Sequence, residues 1–192
     1  MPLSTPEPRE PLHTRSITYQ GYKRQDGLWD IEGHLIDTKT YTINNTWRDK
    51  IAIGEPLHEM LIRVTIDDNF LIKDIEAKTE NSPFEMCPNI TPNYKSLIGI
   101  VMGAGWRQSI RQKVGGVAGC THITELLFPL ATVAIQTIGP FKGKEKKNKI
   151  STHHKTNSER PFVLNTCHAW STDSIVVKEH EPDFYTGDDV KN

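Results

Sequence analysis

Apolar and polar side chains alternate in two pairs of stretches in the first eighty residues, and each pair is joined by a turn signal. Residues 16–23 and 28–37 flank Gln25-Asp26-Gly27 and predict a β-hairpin, with Tyr19, Tyr22, Trp29, Ile31 and Leu35 as strand-type side chains. Residues 41–44 extend or follow its second strand. The second hairpin is the clearer one. Residues 60–66 place Ile62, Val64 and Ile66 on one face, Asp67-Asp68-Asn69 makes the turn, and residues 70–77 return with Ile72 and Ile75 facing the core. Alternation of this kind is what an antiparallel sheet buried on one side requires.

After Pro88 the period lengthens. Thr91 followed by Pro92 reads as an N-cap with proline in the first turn, and Tyr94, Leu97, Ile98 and Val101 recur at helical spacing. Gly99, Gly103 and Gly105 weaken this helix, each by about 1 kcal/mol against alanine. Residues 106–114 predict a second helical piece, residues 115–119 a glycine loop, and residues 121–138 a last helix. Its apolar stripe is Leu126, Leu127, Leu130, Val133, Ala134 and Ile138, with Glu125 in the first turn and Pro129 as a kink or a delayed start. The hairpin side chains Ile62, Val64, Ile66, Ile72 and Ile75 are expected to lie under this helix.

From Lys142 the composition changes. Residues 142–149 hold five lysines, and an acidic stretch closes the chain. Residues 142–158 are expected to be mobile, and the apolar segment at about 160–178 is expected to dock back on the domain. The whole predicts an α+β fold: an antiparallel sheet built from hairpins, followed by two or three helices packed on one face, as one domain at 14–141 with a charged polar tail at 142–192.

Charge and composition narrow the function classes. The 192 residues carry 23 basic and 24 acidic side chains, a net charge of −1, which argues against a general nucleic-acid binder. No apolar run is read as a membrane span, and the proline-rich, charged N-terminal stretch lacks the apolar centre of an export signal, so a cytoplasmic protein is expected. There Cys87, Cys120 and Cys167 stay reduced.

Those cysteines keep unusual company. Cys87 ends a strand region, Cys120 and His122 open the last helix after the glycine loop, and Cys167-His168 lies in the tail; His58 and His34 belong to the hairpins. Thiolate and imidazole are the ligands of zinc, and thiolates hold iron–sulfur clusters. Residues two apart do not face one another on a regular helix, so Cys120 and His122 share a site only if a loop conformation persists through Thr121. Three readings follow. The first is a metal protein with His58, Cys87, Cys120 and His122 as ligands of zinc or of an iron–sulfur cluster. The second is a cysteine-dependent enzyme with Cys120 as nucleophile, assisted by His122 or Glu125. The third is a non-catalytic protein that meets a protein partner through its docked tail and lysine run.

Two resemblances bear on these readings. Residues 27–37, 61–88 and 115–127, with Cys167-His168-Ala169, resemble a bacterial family known as a domain of unknown function; the likeness covers about residues 14–178 and implies no activity. A weaker one is to iron–sulfur cluster scaffold proteins of the IscU/NifU type, carried by residues 60–79 followed by Cys87, a helix, and Cys120 before a final helix. It implies a sheet followed by helices with a metal site at one end of the fold. Cys87 then falls near the middle cysteine of that family, Cys120 near the last, and His58 near the aspartate that follows the first. The first cysteine has no counterpart here.

Overall fold

The computed structural model describes residues 3–149, 160–161 and 163–188. The chain divides into two compact units, Met1–Lys146 and Lys147–Asn192.

The first unit is α+β. Six strands form in order: β1 His13–Lys23, β2 Trp29–Lys39, β3 Ile43–Asn45, β4 Asp49–Ile51, β5 His58–Ile66 and β6 Ile72–Asn81. Four of them make one antiparallel sheet in the order β1-β2-β5-β6, and β3 pairs with β4 in a small hairpin inserted between β2 and β5. Both expected hairpins are present, each longer than its alternation alone suggested. The β3–β4 hairpin had no counterpart among the expectations beyond residues 41–44, because three-residue strands show no period.

One face of the sheet is apolar. Trp29, Ile31 and Leu35 of β2, Met60, Ile62, Val64 and Ile66 of β5, and Ile72 and Ile75 of β6 are buried in one cluster. Above them lie α1 (Trp106–Val114) and α2 (Thr121–Lys149), with Trp106, Ile110, Val114, Leu126, Leu127, Leu130, Ala134 and Ile138 in the same core. The opposite face is polar and carries cross-strand ion pairs such as Glu32–Arg63–Glu76. A β-carbon on Gly21 of β1 would meet the Thr137 hydroxyl of α2 at 1.9 Å, so glycine there lets the helix close on the sheet.

Two helical expectations change. Residues Cys87–Leu97 form a 3-10 segment rather than an α-helix over 91–101. Tyr94 and Leu97 are buried as expected, since spacing of three suits either helix. Pro88 and Pro92 each remove a backbone donor, and the chain turns away at Ile98–Gly99; Val101 instead bridges Leu71. The last helix runs on past Ile138 to Lys149, through both Pro129 and Pro140, and Glu125 falls in its second turn. The stretch expected to be mobile lies partly in this helix and partly at 150–159, outside the described residues. Residues 121–143 of α2 are long and apolar enough to cross a bilayer by length and composition; Ile123, Leu126, Leu127, Leu130, Ala134 and Ile138 of that stretch are buried in the core.

The second unit is small. A 3-10 turn at His168–Trp170 precedes α3 (Ile175–His180), which Ser174 caps by accepting from the Val177 N–H at 3.2 Å. Among its described residues, Leu164 and Val177 are buried apolar side chains.

Candidate metal centre

The apolar ladder of β2 runs Trp29, Ile31, Gly33, Leu35 and then, at the next position on the same face, Asp37. Strand register sets two further residues beside it. Arg15 of β1 pairs directly with Asp37 on one side, and His58 of β5 pairs directly with it on the other. His58 likewise ends the ladder Ile66, Val64, Ile62, Met60. One row across three strands therefore reads Arg15, Asp37, His58, all on the face that elsewhere carries the core. The start of α2 lies over this row and adds His122.

The geometry is close. Arg15 holds Asp37 with two donors, Nε to Oδ1 and Nη2 to Oδ2, both at 2.8 Å, and its Nη1 donates to Glu125 at 2.7 Å. His58 Nδ1 stands 3.2 Å from Asp37 Oδ2, and His122 Nε2 stands 3.7 Å from the same oxygen. Oδ2 thus accepts from Arg15 and faces both imidazoles. The imidazoles stack, centroids 3.8 Å apart and planes inclined by 29°. His13 Nε2 lies 3.4 Å from Asp37 Oδ1. Among the described residues, Asp37, His58 and His122 are the group of three whose ligand atoms all lie within 4.8 Å of one another.

Electrostatics follow from burial and neighbours. Asp37 is 2 % exposed; burial alone would raise its pKa, but the hydrogen bonds and charge of Arg15, with help from His13 and His58, hold it below the usual carboxylate range. Burial and the neighbouring His122 push His58 down to about 4, against the pull of Asp37. Burial and Arg15 lower His122 as well. At neutral pH the centre is thus one carboxylate and two neutral imidazoles.

The loop before α2 is pinned. The buried Tyr94 hydroxyl accepts from the Cys120 N–H at 2.9 Å and lies 3.0 Å from the Cys120 carbonyl and 2.9 Å from the Thr124 hydroxyl. Burial raises this phenol to about 12. A β-carbon on Gly119 would meet the Val114 carbonyl at 2.1 Å, so the glycine is what allows the loop to close there.

The sequence-derived ligands are placed as follows. His58 and His122 meet. Cys120 Sγ lies 3.8 Å from Nδ1 of His122, the nitrogen turned away from Asp37. Cys87 stands outside the group. It opens the 3-10 segment beyond β6. His34 sits on the opposite face, 3.1 Å from Glu59. Cys167 and His168 belong to the second unit. Asp37, Arg15 and His13 were missed, although Asp37 had a signal: it is the charged residue at the fifth position of an alternating apolar ladder.

No curated protein and no solved structure matches the chain, so the likeness to cluster scaffold proteins gains no support. One family does match, over residues 13–136, more than half of the chain and all of the centre just described. The chain belongs to that family, the protein of unknown function DUF2889.

Proposed function

We propose that this protein binds one divalent transition-metal ion, zinc or ferrous iron, through Asp37, His58 and His122. The observation that carries the reading is the convergence of three donors on one small volume. In a tetrahedral site with bonds of about 2.0–2.1 Å, ligand atoms stand roughly 3.4 Å apart. The separations of 3.2 and 3.7 Å from Asp37 Oδ2 to the two imidazoles bracket that spacing. Both imidazoles are neutral near pH 7, so each offers a lone pair once its proton sits on the other nitrogen. Charge favours a cation too: Arg15 against Asp37 and Glu125 leaves the group at −1.

Two nitrogens and one oxygen suit a single ion of borderline hardness, whereas iron–sulfur clusters are held by thiolates. Three protein ligands leave a coordination position open, as in catalytic rather than structural sites. Cys120 then acts from behind, accepting the Nδ1–H of His122 and fixing which nitrogen faces the metal. The test is elemental analysis of protein purified without chelator, and of the chain after adding zinc or ferrous iron. About one metal per chain is expected, with His58→Ala and His122→Ala each losing it. A wild-type chain that carries far less and refuses both ions overturns the reading.

One observation favours a second reading. Cys120 Sγ, both nitrogens of His122 and Asp37 Oδ2 form a relay at 3.8 and 3.7 Å, the order a thiol nucleophile would use. Iodoacetamide separates the two. A metal-centre protein alkylates Cys120 no faster than the exposed Cys167, while a nucleophile alkylates it much faster.

A further inference from the structure

We propose that the open position of this centre takes a monoanionic oxygen ligand, a carboxylate on a small substrate, which enters past Arg15, His13 and Glu125. The inference rests on the metal reading above and adds the class of ligand.

Exposure shows the way in. The Asp37 side chain is 2 % exposed, His58 17 % and His122 22 %, while Arg15, His13 and Glu125 rise to 32, 39 and 48 %. The more exposed side chains around the centre are thus Arg15, His13 and Glu125, the groups a solute coming from that side meets. Charge then selects the solute. Arg15, Asp37 and Glu125 sum to −1, and a divalent ion turns that into +1. The metal-free centre repels an anion and the loaded centre attracts one, with a single negative charge as the match.

Arg15 also has capacity left. A guanidinium carries five N–H donors, and Asp37 and Glu125 take three, Nε, Nη2 and Nη1. The two that remain take neither carboxylate, and the side chain that carries them is 32 % exposed. The first turn of α2, next to His122, bears no acidic side chain that would neutralise the positive end of that helix. Glu125 is a negative group on that side, 48 % exposed. It disfavours a phosphate dianion more than a carboxylate.

Cobalt(II) is the probe metal, since its visible absorption reports both its binding and its ligands. The full chain is loaded with cobalt at pH 7 and titrated at constant ionic strength with acetate, inorganic phosphate and acetamide. Acetate is expected to shift the cobalt bands saturably and to bind about tenfold more tightly than acetamide. Metal-free protein, followed by calorimetry, is expected to bind no acetate. Glu125→Gln, at an exposed position, is expected to tighten acetate about fivefold by removing the opposing charge, and Arg15→Lys to weaken it. Acetamide equal to acetate, phosphate tighter than acetate, acetate binding without metal, or a Glu125→Gln variant that binds acetate more weakly would each overturn the inference while the metal reading stands. Failure to bind cobalt at all is seen before any anion is added, and overturns both.

Discussion

The face of the sheet that carries the core is apolar at one end and ionisable at the other. Trp29, Ile31 and Leu35 on β2 face α2 beside Val64, Ile62 and Met60 on β5; one step further along the same two strands stand Asp37 and His58. The backbone does not change between the two ends. β2 keeps a continuous register with β5 from Trp29 through Asp37. What changes is the chemistry needed to bury what the pleat delivers. An isoleucine is stabilised by the area it withdraws from water, about 25 cal/mol per Å². A carboxylate withdrawn from water is costly unless paired, so Asp37 needs Arg15 beside it. An extended apolar ladder is thus a ready support for a site: its last step inherits the rigidity of the core and needs only a change of side chain.

The sharpest way to break that comparison is to cut each end separately. Leu35→Ala removes a fully buried side chain two residues from Asp37, and is expected to cost 2–5 kcal/mol in chemical denaturation. The folded fraction is expected to keep its metal stoichiometry. A variant that unfolds as easily as expected but also loses metal when folded would show that the two ends are not separable.

His58→Ala cuts the other end. A lost ligand should cost at least as much as a lost outer partner, so metal affinity is expected to fall by about a hundredfold or more, with little change in metal-free stability. Cys120→Ser is expected to fall about tenfold, in keeping with a group that acts through His122. Competition with a chromophoric chelator measures both. A His58→Ala chain that binds as tightly as the parent would remove His58 from the centre.

Acid is the next probe. The folded pKa of His58, about 4, lies below its ordinary 6.5, so the unfolded chain binds the proton more readily. Protonating the half-buried ring therefore opposes folding: stability is intact above pH 6.5 and falls as pH drops from 6.5 towards 4. The loss of metal-free stability across this window is expected to be on the order of 2 kcal/mol. Denaturation midpoints measured from pH 7 to pH 4 should fall more steeply for the parent than for His58→Ala. Parallel curves would mean that His58 titrates freely.

The two ends also differ in how far the sequence disclosed them. The hairpins and the buried set Ile62, Val64, Ile66, Ile72 and Ile75 were legible because alternation is a local signal that burial of one face enforces. His58 and His122 were legible as chemistry, being imidazoles near chain reversals. Their meeting at Asp37 was not, because Arg15, Asp37 and His58 become neighbours only through the register of three strands, and no stretch of sequence states a register. Thiols drew attention to Cys87, which opens a segment whose helix type residues spaced by three leave open, and which stands outside the group at Asp37. The ladder ending at Asp37 could have been read: a charged residue in phase with Trp29, Ile31 and Leu35 must be buried and paired.

The smallest expected effect lies where the two ends join. Tyr94 is fully buried with the apolar residues, but its hydroxyl holds the Cys120 backbone on both sides and contacts Thr124. It belongs to the core by its ring and to the centre by its oxygen. Tyr94→Phe keeps the ring and leaves the Cys120 N–H without its acceptor, which should cost about 1–2 kcal/mol of stability. Thr124 still donates to the Val114 carbonyl at 3.1 Å, so the start of α2 stays attached at one point. If the loop merely caps the core, metal affinity is unchanged. If it aims His122 through Cys120, affinity falls about tenfold along with stability. The second outcome is expected, since Cys120 and His122 are two residues apart and any shift of the Cys120 backbone turns the imidazole that lies 3.8 Å from its sulfur.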